Sequence, residues 1–432
     1  MHLTINPYTF QLWIGTHPNN PSYLWSDPSK SLQGLIQSSP LTYLGPSLTA
    51  PFDSPLNPTA PPGPGPTPHS THIPYLFKVL SIALALPLQT HPSKALAEKL
   101  HKEDPKQFVD SNHKPEIAIA IEDGFKGFVG FGEHNRVKQW LQEVQELREA
   151  VGNEEVVEAY LKEQTKAGMR RVLESLLTRD AGEVERCVVS LARKIEREGA
   201  KAVNGDEQIA EVVKLLYSQY GGDVGVLVAP FFMNFVMLDK GEAVSIPADT
   251  VHAYLEGGEY LVPSLAAASP LTIILVDIIE CMATSDNVLN AGFVPPSSRQ
   301  TRTFVDSLAY DALPASAFAL PRTPYKKSRR GKTVAYDPPF EEFTVLGTKF
   351  SASEAESVGQ GELPVHEVLE SVLGPTACIV TKGMVRLREE GKVELLELGE
   401  GGVGFVKPGV VVEVLGEGQG PVEIWWAMWD QN

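Results

Sequence analysis

The stretch GEAVSIPADTVHAYL, residues 241–255, decides how this chain is read. Gly241 opens a turn, a short apolar run follows, and Pro247 and Asp249 make a second turn. Two residues later His252 begins another apolar run, so the turn delivers an imidazole at the start of a strand. Upstream, Gln89-Thr90-His91 places two potential ligands one residue apart, and on a strand such a spacing puts both side chains on the same side. Glu116, in the phrase NHKPE, falls on a later strand. Gln89, His91, Glu116 and His252 together form a nitrogen and oxygen donor set suited to zinc or a similar divalent ion, with room left for water or substrate.

The spacing Gly241, five residues, Pro247, one residue, Asp249, two residues, His252 resembles the second cupin motif, in which a turn feeds a histidine into a small β-barrel. Asp249 stands where the motif usually has glycine, and Asp is among the residues that accept positive φ. The C-terminal region repeats the turn half of the pattern: Gly402, five residues, then Pro408-Gly409. There Val410, Val411 and Val412 follow in place of a histidine, which reads as a second cupin without a metal and gives one zinc site per chain.

Composition narrows the function. Of 432 residues, 43% are hydrophobic and 21% charged, ordinary for a globular protein of two or three domains. The net charge of -17 argues against a broad nucleic-acid surface and against anionic membranes, while leaving room for a phosphorylated small molecule held by local Lys or Arg. Cys187, Cys281 and Cys378 are isolated, which excludes a thiolate zinc cluster and fits a reducing compartment. The start, MHLTINPYTF, lacks the pattern of a secretory signal. The apolar run Leu261–Ile279 is interrupted by Pro263, Pro270 and Asp277, so the chain reads as cytoplasmic and not membrane-bound.

Periodicity divides the chain. Residues 38–74 are rich in Pro, Ser, Thr and Gly and read as a mobile loop. From 134 to 220 the period is helical: Val137, Trp140, Leu141, Val144, Leu147 and Val151 recur at spacings of three and four. After Gly222 the pattern reads as strands again, from DVGVLVAPFF onward. The basic stretch KKSRRGK, 326–332, reads as a charged linker. From Phe340 to the end, short β-branched runs alternate with Gly-rich turns. The expected architecture is mainly β: two cupin (double-stranded β-helix) barrels with an inserted α-helical domain. Its parts are 1–133, the first portion of the N-terminal cupin; 134–221, the helical insertion; 222–320, the remainder of the metal-binding cupin; 321–339, the linker; and 340–432, the metal-free cupin.

At this point the residues resemble a family, type I mannose-6-phosphate isomerase. The resemblance lies in WIGTHPNNPS (13–22), PYLFKV (74–79), QTHPSKALAEKLHKEDP (89–105), DSNHKPEIAIAI (110–121), IPADTVHAYL (246–255), IIECMATSDNV (278–288) and YDPPFEEFTV (336–345). It implies reversible conversion of mannose 6-phosphate to fructose 6-phosphate by proton transfer between C1 and C2 through a cis-enediol, assisted by a divalent metal. It also implies a role in supplying GDP-mannose. By the family pattern Gln89, His91, Glu116 and His252 match the zinc ligands; Lys78, Lys114, Tyr254, Glu280 and Asp286 match residues lining the pocket, with Glu280, Lys114 and Asp286 as the catalytic set, Glu280 or Lys114 moving protons, and Lys78 and Tyr254 binding substrate. A sugar phosphate is the expected partner, and the chain is expected to be a monomer.

Several positions depart from the family. Its active-site arginine is Asn290 here, its lysine after Gly-Phe-x-Pro is Pro296, and the serine before the glutamine ligand is Pro87. Arg299 or Arg302 is the expected substitute cation from the next loop. The family's opening Tyr-x-Trp-Gly strand is missing, and residues 258–276 form an apolar insertion between His252 and Glu280 that reads, with 38–74, as a retained intron. These departures support an alternative reading, a catalytically weakened cupin that binds zinc and sugar phosphate in a regulatory role.

Overall fold

The fold follows from two registers of alternation laid down by the sequence. In the computed structural model, which describes residues 2–6, 9–49, 72–257, 277–351, 364–416 and 420–430, the strand Tyr75–Ile82 is buried along its whole length. Phe77 and Val79 face one hydrophobic cluster while Leu80 and Ile82 face another, so both sides of the strand meet apolar layers. The same holds for Glu116–Ala120, where Ile117 and Ile119 point one way and Ala118 and Ala120 the other.

Four antiparallel sheets result. The first has the order His2–Asn6, Thr9–Ile14, Tyr75–Ile82, Asp277–Ala283, Glu116–Ala120, Ala243–Ile246. The second has the order Leu289–Gly292, Leu88–Thr90, His252–Gly257, Phe125–Phe131, Met233–Leu238. The third runs Arg322–Pro324, Thr333–Tyr336, Thr344–Ser351, Pro421–Met428, Thr376–Lys382, Val403–Val406. The fourth runs Val365–Leu369, Val412–Gly416, Val385–Glu389, Leu396–Leu398. Among the described residues the third and fourth sheets thus repeat the strand order of the first and second, except that the fourth has no counterpart of Leu289–Gly292. The stretch expected as a basic linker, 321–339, contains two of the third sheet's strands.

The layers stack as helices, second sheet, first sheet, third sheet, fourth sheet. Leu80, Ile82 and Ile278 of the first sheet pack on Phe125, Val129 and Tyr254 of the second. Phe77, Ile119 and Ile279, on the other side of the first sheet, share a core with Val345, Ile379 and Trp425 of the third. The Tyr75 hydroxyl crosses this boundary and donates to the carbonyls of Pro375, at 3.0 Å, and Ala427, at 2.8 Å. Each fully buried Phe or Trp contributes roughly 1.5–3 kcal/mol, so this shared core binds the two halves strongly.

Helices fill 134–232, between Phe125–Phe131 and Met233–Leu238, where the second half has only the short hairpin loop between Val385–Glu389 and Leu396–Leu398. Val137, Trp140, Leu141, Leu147 and Val151 are all buried, but on two helices: His134–Glu143 and Gln145–Val151 meet at Val144, whose backbone is extended at φ -100, ψ 94. The β-branched Val144 keeps its side chain in the core through that break. The stretch DVGVLVAPFF corrects the strand reading, because Gly225–Phe232 is an α-helix, buried at every position. A continuous apolar run carries no period, so a buried helix and a buried strand look alike in sequence.

The Pro-rich stretch at 38–74, expected as a mobile loop, is helical in part. Pro40–Thr49 buries Leu44 and Leu48 and bends at Gly45, where φ is 84 and any side chain would strike the Leu373 carbonyl. Residues 50–71 lie outside the described residues, as does the apolar insertion 258–276. Among the described residues no helix is long and apolar enough to cross a membrane.

The basic stretch 326–332 is tied to the fourth sheet. Lys327 bonds Asp430 at 2.6 Å and Arg329 bonds Glu370 at 2.5 Å. Behind them Glu367, fully buried, accepts hydrogen bonds from Ser328 Oγ, Thr333 Oγ1 and the backbone N–H groups of Arg330, Lys332 and Val368. Removing that carboxylate leaves several buried donors unmatched. The Glu367→Ala variant is expected to lose about 3 kcal/mol of stability, read by urea denaturation followed through tryptophan fluorescence.

Candidate metal centre

Between the first and second sheets the inward faces are apolar at one end and polar at the other. The polar end is built by register. Across the first sheet, Trp13 pairs with Lys78, Lys78 with Glu280, and Glu280 with Ala118. Residues opposite each other in an antiparallel ladder share a face. Trp13, Lys78 and Glu280 therefore line the same side as Leu80 and Ala118, one step toward the end of the sheet. Across the second sheet, Asn290 pairs with Gln89 and Gln89 with His252.

Three ligand-type side chains converge here. His91, Glu116 and His252 are buried, and their donor atoms all lie within 4.8 Å of one another. His91 Nε2 is 3.1 Å from Glu116 Oε1, and His252 Nε2 is 3.6 Å from Glu116 Oε2. Each imidazole spends its other nitrogen on a backbone carbonyl: His91 Nδ1 on Asn287 at 2.7 Å, His252 Nδ1 on Thr250 at 3.0 Å. A carbonyl only accepts, so in both rings Nδ1 carries the proton and Nε2 presents a lone pair to the centre. His91 Nε2, His252 Nε2 and Glu116 Oε2 have no hydrogen-bond partner, although all are buried. Three orphaned acceptor atoms facing one point are costly unless a cation sits among them, so these residues fit a divalent ion. Gln89 stands opposite His252 across the second sheet.

The electrostatics agree. Burial opposes charge on Glu116, but the Lys114 ammonium, 3.2 Å away, is the chief opposing influence and holds the carboxyl well below its usual range. Burial and the neighbouring His91 push His252 down to about 4, so it is neutral at pH 7. Burial, together with the charge of Glu116, raises Glu280 against the opposing pull of Lys78. The Lys78 ammonium bonds Glu280 at 3.0 Å and lies 4.8 Å from the centre of the Trp13 ring. The Tyr254 hydroxyl is buried, and burial followed by the charges of Glu280 and Glu116 raises it well above its usual value.

The remaining candidates fall nearby or elsewhere. Asp286 is exposed and bonds His17 Nε2 at 3.1 Å and Asn19 Nδ2 at 3.0 Å. The Trp13–Lys78 contact and the His17–Asp286 bond join segments far apart in sequence, although Trp13 and His17 both lie in the WIGTHPNN phrase. Arg299 turns its guanidinium to Asp223, at 2.7 Å, and to the Val294 carbonyl, at 3.3 Å. Arg302 is exposed beside Asp306 at 3.9 Å. Neither arginine bonds a residue of the metal cluster. Asn290 leaves its Oδ1 buried without a partner.

The second half is a control within the same chain. By matching register, Leu369 pairs with Val412 as Gln89 pairs with His252, and Met428 pairs with Thr376 as Met282 pairs with Glu116. Trp426 and Leu346 fall where Glu280 and Lys78 stand. Leu346, Leu369, Val412 and Trp426 are packed in the core between the third and fourth sheets, so among the described residues this half offers no equivalent donor cluster.

Acid should expose the cost of the buried imidazole. His252 is depressed on folding, so the unfolded chain takes up its proton first. The metal-free protein is expected to lose stability as pH falls from about 6.5, the ordinary histidine value, toward 4. Thermal melts across that range should show a shallower decline for His252→Gln.

The comparisons with known proteins agree with this layout. The family model for the catalytic domain of phosphomannose isomerase type I matches residues 5–134, and that for its helical insertion domain matches 141–233. The mannose-6-phosphate isomerase of Ogataea parapolymorpha is 34% identical, over 95% of this chain and 86% of that protein. That of Saccharomyces cerevisiae is 32% identical, over 95% and 87%. The crystal structure of the Salmonella typhimurium mannose 6-phosphate isomerase bound to fructose 6-phosphate and zinc superposes with a TM-score of 0.72 at 20% identity, covering 98% of this chain and 91% of that one. A likeness at that identity shows the fold, while the fungal relatives show the family: the chain belongs to the type I phosphomannose isomerases.

Proposed function

We propose that this protein interconverts mannose 6-phosphate and fructose 6-phosphate with one bound zinc ion. The observation that carries the reading is the set of three orphaned donor atoms of His91, Glu116 and His252 at the polar end of the first sheet pair. The fungal relatives are mannose-6-phosphate isomerases over nearly the whole chain, and the Salmonella protein of the same fold binds fructose 6-phosphate and zinc. In this reading Gln89, His91, Glu116 and His252 hold the ion. Zinc at such a site supplies an electrophile that polarises the sugar's oxygens.

The chain's own residues do the rest. Glu280, raised by burial and held by Lys78, is poised to take and return the proton that moves between C1 and C2. Lys114, bonded to Glu116, can donate to a sugar oxygen beside the ion. Lys78 and Tyr254 face the same space as substrate contacts, and Asp286 orders the His17 and Asn19 loop at the rim. Arg299 serves the substrate only by fixing the loop after Asn290 through Asp223.

The two sheet pairs are read as two cupin barrels, the first binding metal and the second not, with the helical insertion between them. The expected limits shift with the helix Gly225–Phe232 and the strands at 322–336: 1–133 and 233–320 for the first barrel, 134–232 for the insertion and 321–432 for the second barrel. The protein works as a cytoplasmic monomer that feeds mannose into GDP-mannose synthesis.

A coupled assay for fructose 6-phosphate formed from mannose 6-phosphate tests the reading. Turnover is expected to vanish on chelation and return with zinc, and Glu116→Gln is expected to lower kcat at least about 100-fold. No turnover by folded, zinc-loaded protein would favour the binding and regulatory alternative, for which Asn290 and the committed Arg299 are the structural grounds.

A further inference from the structure

Two of the clustered side chains are not fixed by strand pairing alone. His91 follows the strand Leu88–Thr90, and Glu116 is the first residue of Glu116–Ala120. Their aim depends on what grips the loops 91–93 and 110–115.

Asp249 grips the first loop. It sits at φ 60 in the turn before His252, its N–H donates to the His91 carbonyl at 2.7 Å, and its Oδ1 accepts the Ser93 N–H at 2.7 Å. The backbone thus holds one side of His91 and the side chain holds the other. Glycine would suit the φ but would leave the Ser93 N–H without that acceptor. Glu342 grips the second loop. It lies in the second half, between the strands Thr333–Tyr336 and Thr344–Ser351, it is 8% exposed, and its carboxylate hydrogen-bonds His113 Nε2. His113 directly precedes Lys114 and stands three residues before Glu116. The two grips also meet. Burial raises Asp249, while the Ser93 bonds and the nearby His113 pull it down. Burial likewise opposes charge on Glu342, and His113, with Lys94 at longer range, holds it below the usual carboxyl range.

We propose that Asp249 and Glu342 are positioning residues for the metal centre, fixing the loops of His91 and Glu116 so that their donor atoms meet at one point. The proposal rests on the zinc reading above. It gives the second half of the molecule a task at the site, since Glu342 enters from a connection between two strands of the third sheet. It also makes the Asp at the motif's glycine position a working side chain.

The experiment is zinc affinity measured by competition with a chromophoric chelator, on the full chain and four variants, beside the melting midpoint of each metal-free protein. Asp249→Gly and Glu342→Ala are each expected to weaken zinc about 10-fold or more. Asp249→Asn and Glu342→Gln, which keep the acceptor oxygen, should bind zinc close to the parent. The metal-free midpoint of Asp249→Gly should hold, because glycine favours that backbone. The proposal is overturned if the Gly and Ala variants bind zinc like the parent. It is also overturned if the Asn and Gln variants lose as much as they do, or if the metal-free midpoints fall in step with affinity. A parent protein that fails to bind zinc would instead sink the proposed function.

Discussion

A carboxylate that is fully buried and still ionised is the constraint around which this molecule is arranged. Glu116 has lost its water, which by itself would protonate it. The Lys114 ammonium keeps it charged, and each neighbouring imidazole is oriented by a carbonyl on its far side. Those carbonyls belong to Asn287 and Thr250, so the geometry of the centre is handed outward to loops. Asn287 is in turn held by Asp110 and Asn112, on the loop that leads to Glu116. The chain around Glu116 thus closes on itself through hydrogen bonds. An arrangement of this sort tolerates little slack, because each partner lost leaves a buried polar group unmatched.

The repeated strand order shows what that constraint costs. One backbone frame occurs twice, and strand periodicity gives both copies an inward face. In the second copy the face is filled by Leu346, Leu369, Val412 and Trp426, which stabilise it by burial alone. In the first copy the equivalent places hold Lys78, Gln89, His252 and Glu280, and the apolar core is confined to the other end. Part of the lost cohesion is recovered outside the first pair: helices cover the outer face of the second sheet, and the third sheet covers the outer face of the first. The helical segment enters at a hairpin position, where an insertion adds surface without breaking a ladder.

How much was legible in the sequence follows from the same physics. His252 and its turn were readable because turn chemistry is local, and Asp249 does adopt the positive φ its position required. His91 and Glu116 were readable as donors from separate strands, and the structure gathers them with His252 across the two sheets. Helical stripes were readable where polar residues broke the apolar run, as in Ala181–Glu198, which starts at an Asp180 cap. Gly225–Phe232 was not, having no polar face to set a period. The break at Val144 was hidden because the buried residues keep their spacing through it. Contacts between distant segments, such as Tyr75 with Pro375 and Ala427 or His113 with Glu342, leave no local pattern at all.

Asn290 sharpens the consequence for the site. It shares a face with Gln89 and His252, so whatever its side chain does, it does at the centre. Its amide can donate and accept but carries no charge. Arg299, the nearest cation along the chain, spends its charge on Asp223, whose other oxygen accepts the backbone N–H groups of Gly225 and Phe293. Freeing Arg299 for a ligand would therefore loosen the joint between the helical segment and the strand that carries Asn290. The cations that the structure does place at the centre are Lys78 and Lys114, each bonded to a carboxylate. Among the described residues an anionic substrate at the centre meets lysines that already serve Glu280 and Glu116, which couples substrate binding to the same buried charges that order the centre.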